Sequence, residues 1–216
     1  MNKKTLKDFN VKGKKVLEIG CGYGDISVHL AMQGAIVTAL DNTHNALRNA
    51  QILAEKNGVS IHPVVMDAMN IDHLKDEKYD YVVGQFILHH IEPFDLFVTK
   101  LDALMAPGTV GLFFENSSSN KLLMFFRKTL VGRFGIPKHS DGVEVPFQRK
   151  EFNLLKRCFT AKRTTPSLYF WELLSTYIFR KSEKAKRFFR AMDAWFYKYL
   201  PFFRRLSYYQ VIYFKK

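Results

Sequence analysis

Ten residues near the start of the chain constrain its fold more than any others: Val16-Leu17-Glu18-Ile19-Gly20-Cys21-Gly22-Tyr23-Gly24-Asp25. A short apolar run, preceded by lysines, ends in glycines at alternating positions, and a helix-forming segment follows at once. Such a run reads as a buried strand, and the glycines permit a tight turn from strand to helix. At the carboxyl end of a strand, a turn without Cβ atoms lets main chain approach a polar ligand closely.

The same rhythm continues along the chain. Residues 14–20 read as a strand, and 25–33 as a helix closed by Gly34. A second strand covers 35–40 and ends at Asp41. A helix over 43–57 meets Gly58 at its C-cap, and a third strand over 61–66 ends at Asp67. Strands over 79–86 and 109–115 flank a helix over 93–105. This alternation predicts an α/β protein with a parallel sheet and helices on both faces. The second half is less regular. Helices are expected over 121–134 and 149–158, strands over 161–169 and 208–214, and a helical insertion of about forty residues between those strands.

Composition excludes several classes. Of the 216 residues, 47% are hydrophobic, which supports a packed core rather than a disordered chain. No uncharged run is long enough to span a bilayer. Residues 1–15 are polar and basic with no apolar block behind them, so no secretory signal is expected. Two isolated cysteines, Cys21 and Cys158, make neither a disulfide framework nor a metal site, which points to a reducing cytoplasm. The net charge is +13, and its placement is uneven: from Ala161 onward thirteen Lys and Arg face three acids. Aromatic residues crowd the same region.

Two tests narrow the ligand. A dinucleotide turn has the pattern G-x-G-x-x-G, but counting from Gly20 the third position is Asp25. No lysine follows as a P-loop requires. The segment Glu18-Ile19-Gly20-Cys21-Gly22-Tyr23-Gly24 instead resembles motif I of the class I S-adenosylmethionine-dependent methyltransferases. The resemblance covers about residues 16–115 and implies S-adenosylmethionine as cofactor. Asp41, with Asn42 beside it, matches the acid that binds the ribose hydroxyls, and a carboxylate can accept two hydrogen bonds from a diol. Asp67, followed by Ala68, matches the acid that accepts from the adenine amino group. Gln85 matches the position that contacts the methionine portion. Phe86-Ile87-Leu88-His89-His90-Ile91 resembles the branch that methylates quinones and small molecules, and Pro107-Gly108-Thr109 resembles the turn before strand five. The resemblance implies a Rossmann-like, doubly wound, mostly parallel seven-stranded sheet. Its last strand is antiparallel, with a helical insertion before it. The expected organisation is one methyltransferase domain over 1–216, with 121–134 and 169–206 as helical lid or membrane-facing insertions.

A sulfonium methyl is already activated, so the protein must orient the acceptor and exclude water. Candidates for a base are His90 (with His89 beside it), Glu115 at the end of strand five, and His139 in the loop Pro137-Lys138-His139-Ser140-Asp141. The Asn/Asp-Pro-Pro-aromatic motif of methyltransferases acting on nucleobase amino groups is replaced here by Gly84-Gln85-Phe86-Ile87. No carboxylate cluster points to a metal.

The tail carries the remaining signal. On a helix over 182–200, Phe188, Met192, Trp195 and Tyr199 form one stripe with Phe189 and Phe196 beside it, and Lys186, Arg187, Arg190 and Lys198 lie around the other side. Residues 121–134 repeat the theme: Leu123, Phe126, Leu130 and Phe134 share a stripe, with Lys121, Arg127, Lys128 and Arg133 supplying charge. Two compatible readings stand: a lid packed over the sheet edge, or a surface resting on anionic lipid on the inner face of a membrane. Either suits a small hydrophobic or lipid-like acceptor, of quinone or natural-product type. The rivals are an RNA methyltransferase and a non-catalytic scaffold that keeps the fold.

Overall fold

The computed structural model describes residues 10–118, 120–121, 124–125, 129, 145–178 and 182–216. His139 and all but four residues of the helix expected over 121–134 lie outside the described residues. The elements run in order β1 (Lys15–Ile19), α1 (Asp25–Met32), β2 (Ile36–Asp41), α2 (His44–Lys56), β3 (His62–Val65), a 3-10 segment (Ala68–Glu77), β4 (Tyr81–Gln85), a 3-10 turn (Leu88–His90), α3 (Phe94–Leu104) and β5 (Val110–Asn116). After the partly described stretch come α4 (Arg149–Cys158), β6 (Thr160–Thr164), α5 (Trp171–Ile178), α6 (Glu183–Tyr199), a 3-10 turn (Pro201–Leu206) and β7 (Tyr209–Lys215).

The seven strands form one sheet in the order β3-β2-β1-β4-β5-β7-β6. The first five are parallel, and Val16 of β1 pairs with Val37 on one side and Tyr81 on the other. The chain winds outward from β1 in one direction and from β4 in the other. The carboxyl ends of β1 and β4 therefore form the switch point where open α/β sheets bind ligands. Strand β7 runs antiparallel to β5: Lys216 donates its amide to the Thr109 carbonyl at 3.2 Å, while Ser117 donates to Tyr208 at 2.7 Å near the other end. Gly111 makes this pairing possible, because a Cβ there would lie 2.2 Å from the Phe214 ring. That ring packs against Phe113 and Phe159, with centroids 5.7 and 5.0 Å away.

Two compact units divide the chain. One comprises Met1–Phe114, Arg149–Lys162 and Ile212–Lys216; the other comprises Glu115–Gln148 and Arg163–Val211. In the first, the buried side chains Leu17, Ile19, Leu40, Phe97, Leu101 and Phe113 centre the core. The crossover from β3 to β4 is a 3-10 segment rather than a helix, held by buried Ile71 and by the ion pair of Asp72 with Lys100 at 3.1 Å. No apolar period marks it in the sequence. Strand β6 is shorter than the expected 161–169, because Pro166 lacks the amide a sheet ladder needs and Leu168 and Phe170 are buried in the second unit.

The second unit holds most of the tail. Helix α6 begins at Ser182, whose hydroxyl accepts from the Ala185 amide at 3.2 Å. Its packed face is not the predicted stripe. Phe196 lies against Trp171 and Phe203, with centroids 6.1 and 4.7 Å away. Buried Asp193 accepts from the backbone amides of Phe170, Trp171 and Glu172 at 2.9–3.2 Å, so it caps the start of α5 from another helix. Arg190 donates to both carboxylate oxygens of Glu172. Phe188, Trp195 and Tyr199 remain exposed. No helix among the described residues is long and apolar enough to cross a membrane.

Candidate functional site

The turn after β1 is held to the end of β2. The amides of Gly20 and Cys21 both donate to the Leu40 carbonyl, at 2.8 and 3.0 Å, and the Gly22 amide donates to Asp41 Oδ2 at 2.9 Å. All three glycines have left-handed φ, of 70°, 51° and 86°. Two of them also meet packing limits. A Cβ on Gly24 would lie 2.5 Å from the Ala50 Cβ of α2, and one on Gly20 would lie 2.8 Å from the Ile87 side chain. Gly22 differs, since nothing stands within 4 Å of its Cβ position. The middle of the turn therefore presents bare main chain to open space, as close approach of a ligand requires.

Asp41 is held from two sides. Besides Gly22, the Thr43 amide and hydroxyl donate to its Oδ1 at 3.0 and 2.9 Å. A carboxylate offers about four acceptor positions, so a ligand hydroxyl meets a pre-oriented group with capacity left. Asp67 accepts from the Met69 amide at 2.7 Å and so caps the 3-10 segment. Asp41 ends β2 and Asp67 lies two residues beyond the neighbouring parallel strand β3, and both line one cavity of about 180 Å³. Gly20, Asn42, Ala68, Ile87, His90 and Glu92 share its wall. The predicted residues Gly20, Asp41, Asn42, Asp67, Ala68 and His90 are thus brought together.

Others of the predicted set stand apart from that wall. Glu18 is 1% exposed and accepts from the Ser27 hydroxyl. Burial pushes its pKa up to about 8, against the lowering effect of the Ser27 hydrogen bonds. It therefore shapes the turn from beneath. Cys21 is buried and its thiol is pushed up to about 12, by burial first and then by the carboxylates of Glu18 and Asp41. It is a packed thiol rather than a nucleophile. Gln85 ends β4, half-buried. Glu115 is fully buried within β5 rather than open at a mouth.

One feature of the site has no mark in the sequence. Phe86, directly after β4, has φ of 54°, a left-handed conformation disfavoured for a residue with a Cβ. Its amide donates to the Phe114 carbonyl at 2.8 Å and its ring meets Phe114 edge-on at 5.4 Å. Those contacts hold the strained turn that carries Ile87 over Gly20.

Comparison with known proteins agrees with this geometry. Residues 16–108 match the family model described as a methyltransferase domain. The chain is 34% identical over 125 residues to a ubiquinone biosynthesis O-methyltransferase of Haemophilus ducreyi, covering 56% of this chain and 51% of that protein. It is 35% identical over 125 residues to the protein of the same description from Actinobacillus pleuropneumoniae, covering 56% and 52%. The chain spans about half the length of the curated relatives it matches. A solved S-adenosylmethionine-dependent methyltransferase from Archaeoglobus fulgidus superposes with a TM-score of 0.66 at 16% identity, covering 99% of this chain and 90% of that one, a likeness of fold. Motif I at the switch point and the two acids beyond neighbouring strands all fall within residues 16–108, the stretch that is similar to the methyltransferase domain.

Proposed function

We propose that this chain transfers a methyl group from S-adenosylmethionine to a small, lipophilic acceptor of the quinone type. The observation that carries the reading is the convergence of Gly20, Asp41 and Asp67 on one cavity at the switch point of the sheet. When bound, S-adenosylmethionine supplies a methyl already activated on a sulfonium. The open face at Gly22 fits a polar ligand approaching main chain, and the pre-oriented Asp41 fits a ribose diol. Asp67 and Ala68 suit the adenine edge, Asn42 the ribose side, and Gln85 the methionine portion. The backbone of Gly20, Cys21, Gly22 and Gly24 cradles the cofactor, and Glu18 orients that cradle through Ser27.

The acceptor class is supported by the curated relatives, which are described as ubiquinone biosynthesis O-methyltransferases. Transfer to a phenolic oxygen needs the hydroxyl proton removed, and His90 and His139 are the residues proposed for it. His90 shares a wall with both nucleoside acids, which supports a cofactor contact for it as well. A lipophilic acceptor partitions into a bilayer, so the reaction belongs at a membrane surface.

Isothermal titration with S-adenosylmethionine tests the reading. The wild-type chain binds the cofactor, and Asp41→Ala weakens binding about tenfold or more, the loss of charge-assisted hydrogen bonds. No heat at millimolar cofactor sinks the proposal. Methyl transfer from labelled cofactor to a quinone-type phenol then separates an enzyme from a scaffold that only keeps the fold.

A further inference from the structure

The exposed side of α6 is built as an interface. At about 100° per residue, Phe188, Trp195 and Tyr199 fall within a stripe roughly 40° wide. They are 64%, 53% and 56% exposed, and Phe202 in the following turn is 64% exposed. Three large aromatic side chains exposed along one stripe, with a fourth in the turn that follows, oppose the drive to bury apolar surface. The arrangement is not loose. Asp193, holding three amides at the start of α5 from Phe170 to Glu172, and Arg190, clamped on Glu172, point from the opposite side of the helix. The Tyr197 hydroxyl adds a bond to the Thr165 carbonyl at 2.7 Å. These polar anchors set the rotation of α6, and that rotation turns the aromatic stripe outward.

Charge identifies what the stripe faces. Lys184, Arg187, Lys198 and Arg205 are exposed, and the first three flank the stripe along one edge of the helix. Lys198 Nζ sits 4.9 Å from the Tyr199 ring centroid. The acids of α6 lie elsewhere: Asp193 is buried, and Glu183 is paired with Lys186 at 2.7 Å. Aromatic rings beside exposed cations match the boundary of an anionic bilayer, with rings at headgroup depth and cations at the lipid phosphates. The surface is the convex side of a helix about 25 Å long. Such a helix lies flat on a membrane, whereas single-stranded nucleic acid is held in a charged groove.

We infer that α6 and the turn after it dock the chain on an anionic phospholipid surface through Phe188, Trp195, Tyr199 and Phe202, with Lys184, Arg187, Lys198 and Arg205 at the headgroups. Its purpose, holding the chain beside a lipophilic acceptor, rests on the proposed function. The docking itself needs neither cofactor nor acceptor.

Co-sedimentation of the full chain with vesicles, without cofactor, tests it. Vesicles of phosphatidylglycerol and phosphatidylcholine should retain the protein, and pure phosphatidylcholine vesicles should retain much less. Phe188→Ser with Phe202→Ser lowers partitioning by about tenfold or more, since each side chain loses its apolar burial. Arg187→Glu with Lys184→Glu lowers it by at least about fivefold for each charge and weakens its salt dependence. Both pairs are exposed, and unchanged circular dichroism together with unchanged S-adenosylmethionine binding shows that the fold and the cofactor site persist. Absence of wild-type binding to the anionic vesicles overturns the inference, and so does equal binding by the variants. It is also overturned if the aromatic pair instead abolishes self-association or retention of RNA. A chain that binds vesicles but not cofactor keeps this inference and loses the proposed function.

Discussion

Neutralising Glu18 probes the electrostatics on which the glycine turn rests. Its carboxyl is 1% exposed, and burial raises its pKa from 4.5 to about 8. In the unfolded chain it ionises near the ordinary value. Folding therefore retains a proton that unfolding releases. The stability tied to that proton is fully present below pH 4.5 and is lost as pH rises through about 8. The separation of the two values sets the size: about 2–3 kcal/mol is lost between about pH 5 and pH 7, and roughly 4 kcal/mol by about pH 9. Glu18→Gln removes the titration yet keeps an oxygen to accept from the Ser27 hydroxyl. Urea unfolding of both proteins across this range is the assay. The advantage of the variant over the wild type should grow by about 4 kcal/mol from about pH 5 to about pH 9. Parallel curves, with a gap that changes by less than about 1 kcal/mol, would refute a buried, proton-retaining Glu18.

Three further outcomes follow from the packing. Gly24→Ala adds a left-handed strain and drives a Cβ to 2.5 Å from Ala50, so thermal unfolding should report a loss of at least about 2–3 kcal/mol. Gly58→Ala, with φ of 66° but no atom within 4 Å, should cost only about 1–2 kcal/mol; equal losses at the two positions would refute the role of Ala50. Asp193→Ala leaves the amides of Phe170, Trp171 and Glu172 without their acceptor and should destabilise the second unit by roughly 2–4 kcal/mol, read by hydrogen exchange of α5. A thiol reagent near pH 8 should modify exposed Cys158 in the native protein and Cys21 only on unfolding, because Cys21 is buried with its thiol pushed up to about 12.

Much of the site was readable along the chain because its determinants are local. Gly20, Gly22 and Gly24 sit in one turn, and Asp41 and Asp67 each close an apolar strand. Strand period and turn sterics act over a few residues, so they leave a pattern there. The bonds that make the site do not. Glu18 meets Ser27, Gly20 meets Ile87, and Phe86 is held left-handed by Phe114, each pair joined by the tertiary fold. The 3-10 crossover over Ala68–Glu77 lacks any apolar period, since one buried side chain, Ile71, and the Asp72–Lys100 pair hold it.

The tail separates the two kinds of information most clearly. By itself the sequence determined that α6 is a helix with unlike sides, because side-chain period and the Ser182 cap are local properties of the chain. Which side is covered was decided by tertiary structure. An amphipathic period counts apolar residues but cannot weigh a buried carboxylate against three amides twenty-one to twenty-three positions away. Asp193 and Arg190 fix the rotation of α6 by their bonds to the start of α5, and of the two sides that the period left open the aromatic stripe is the exposed one.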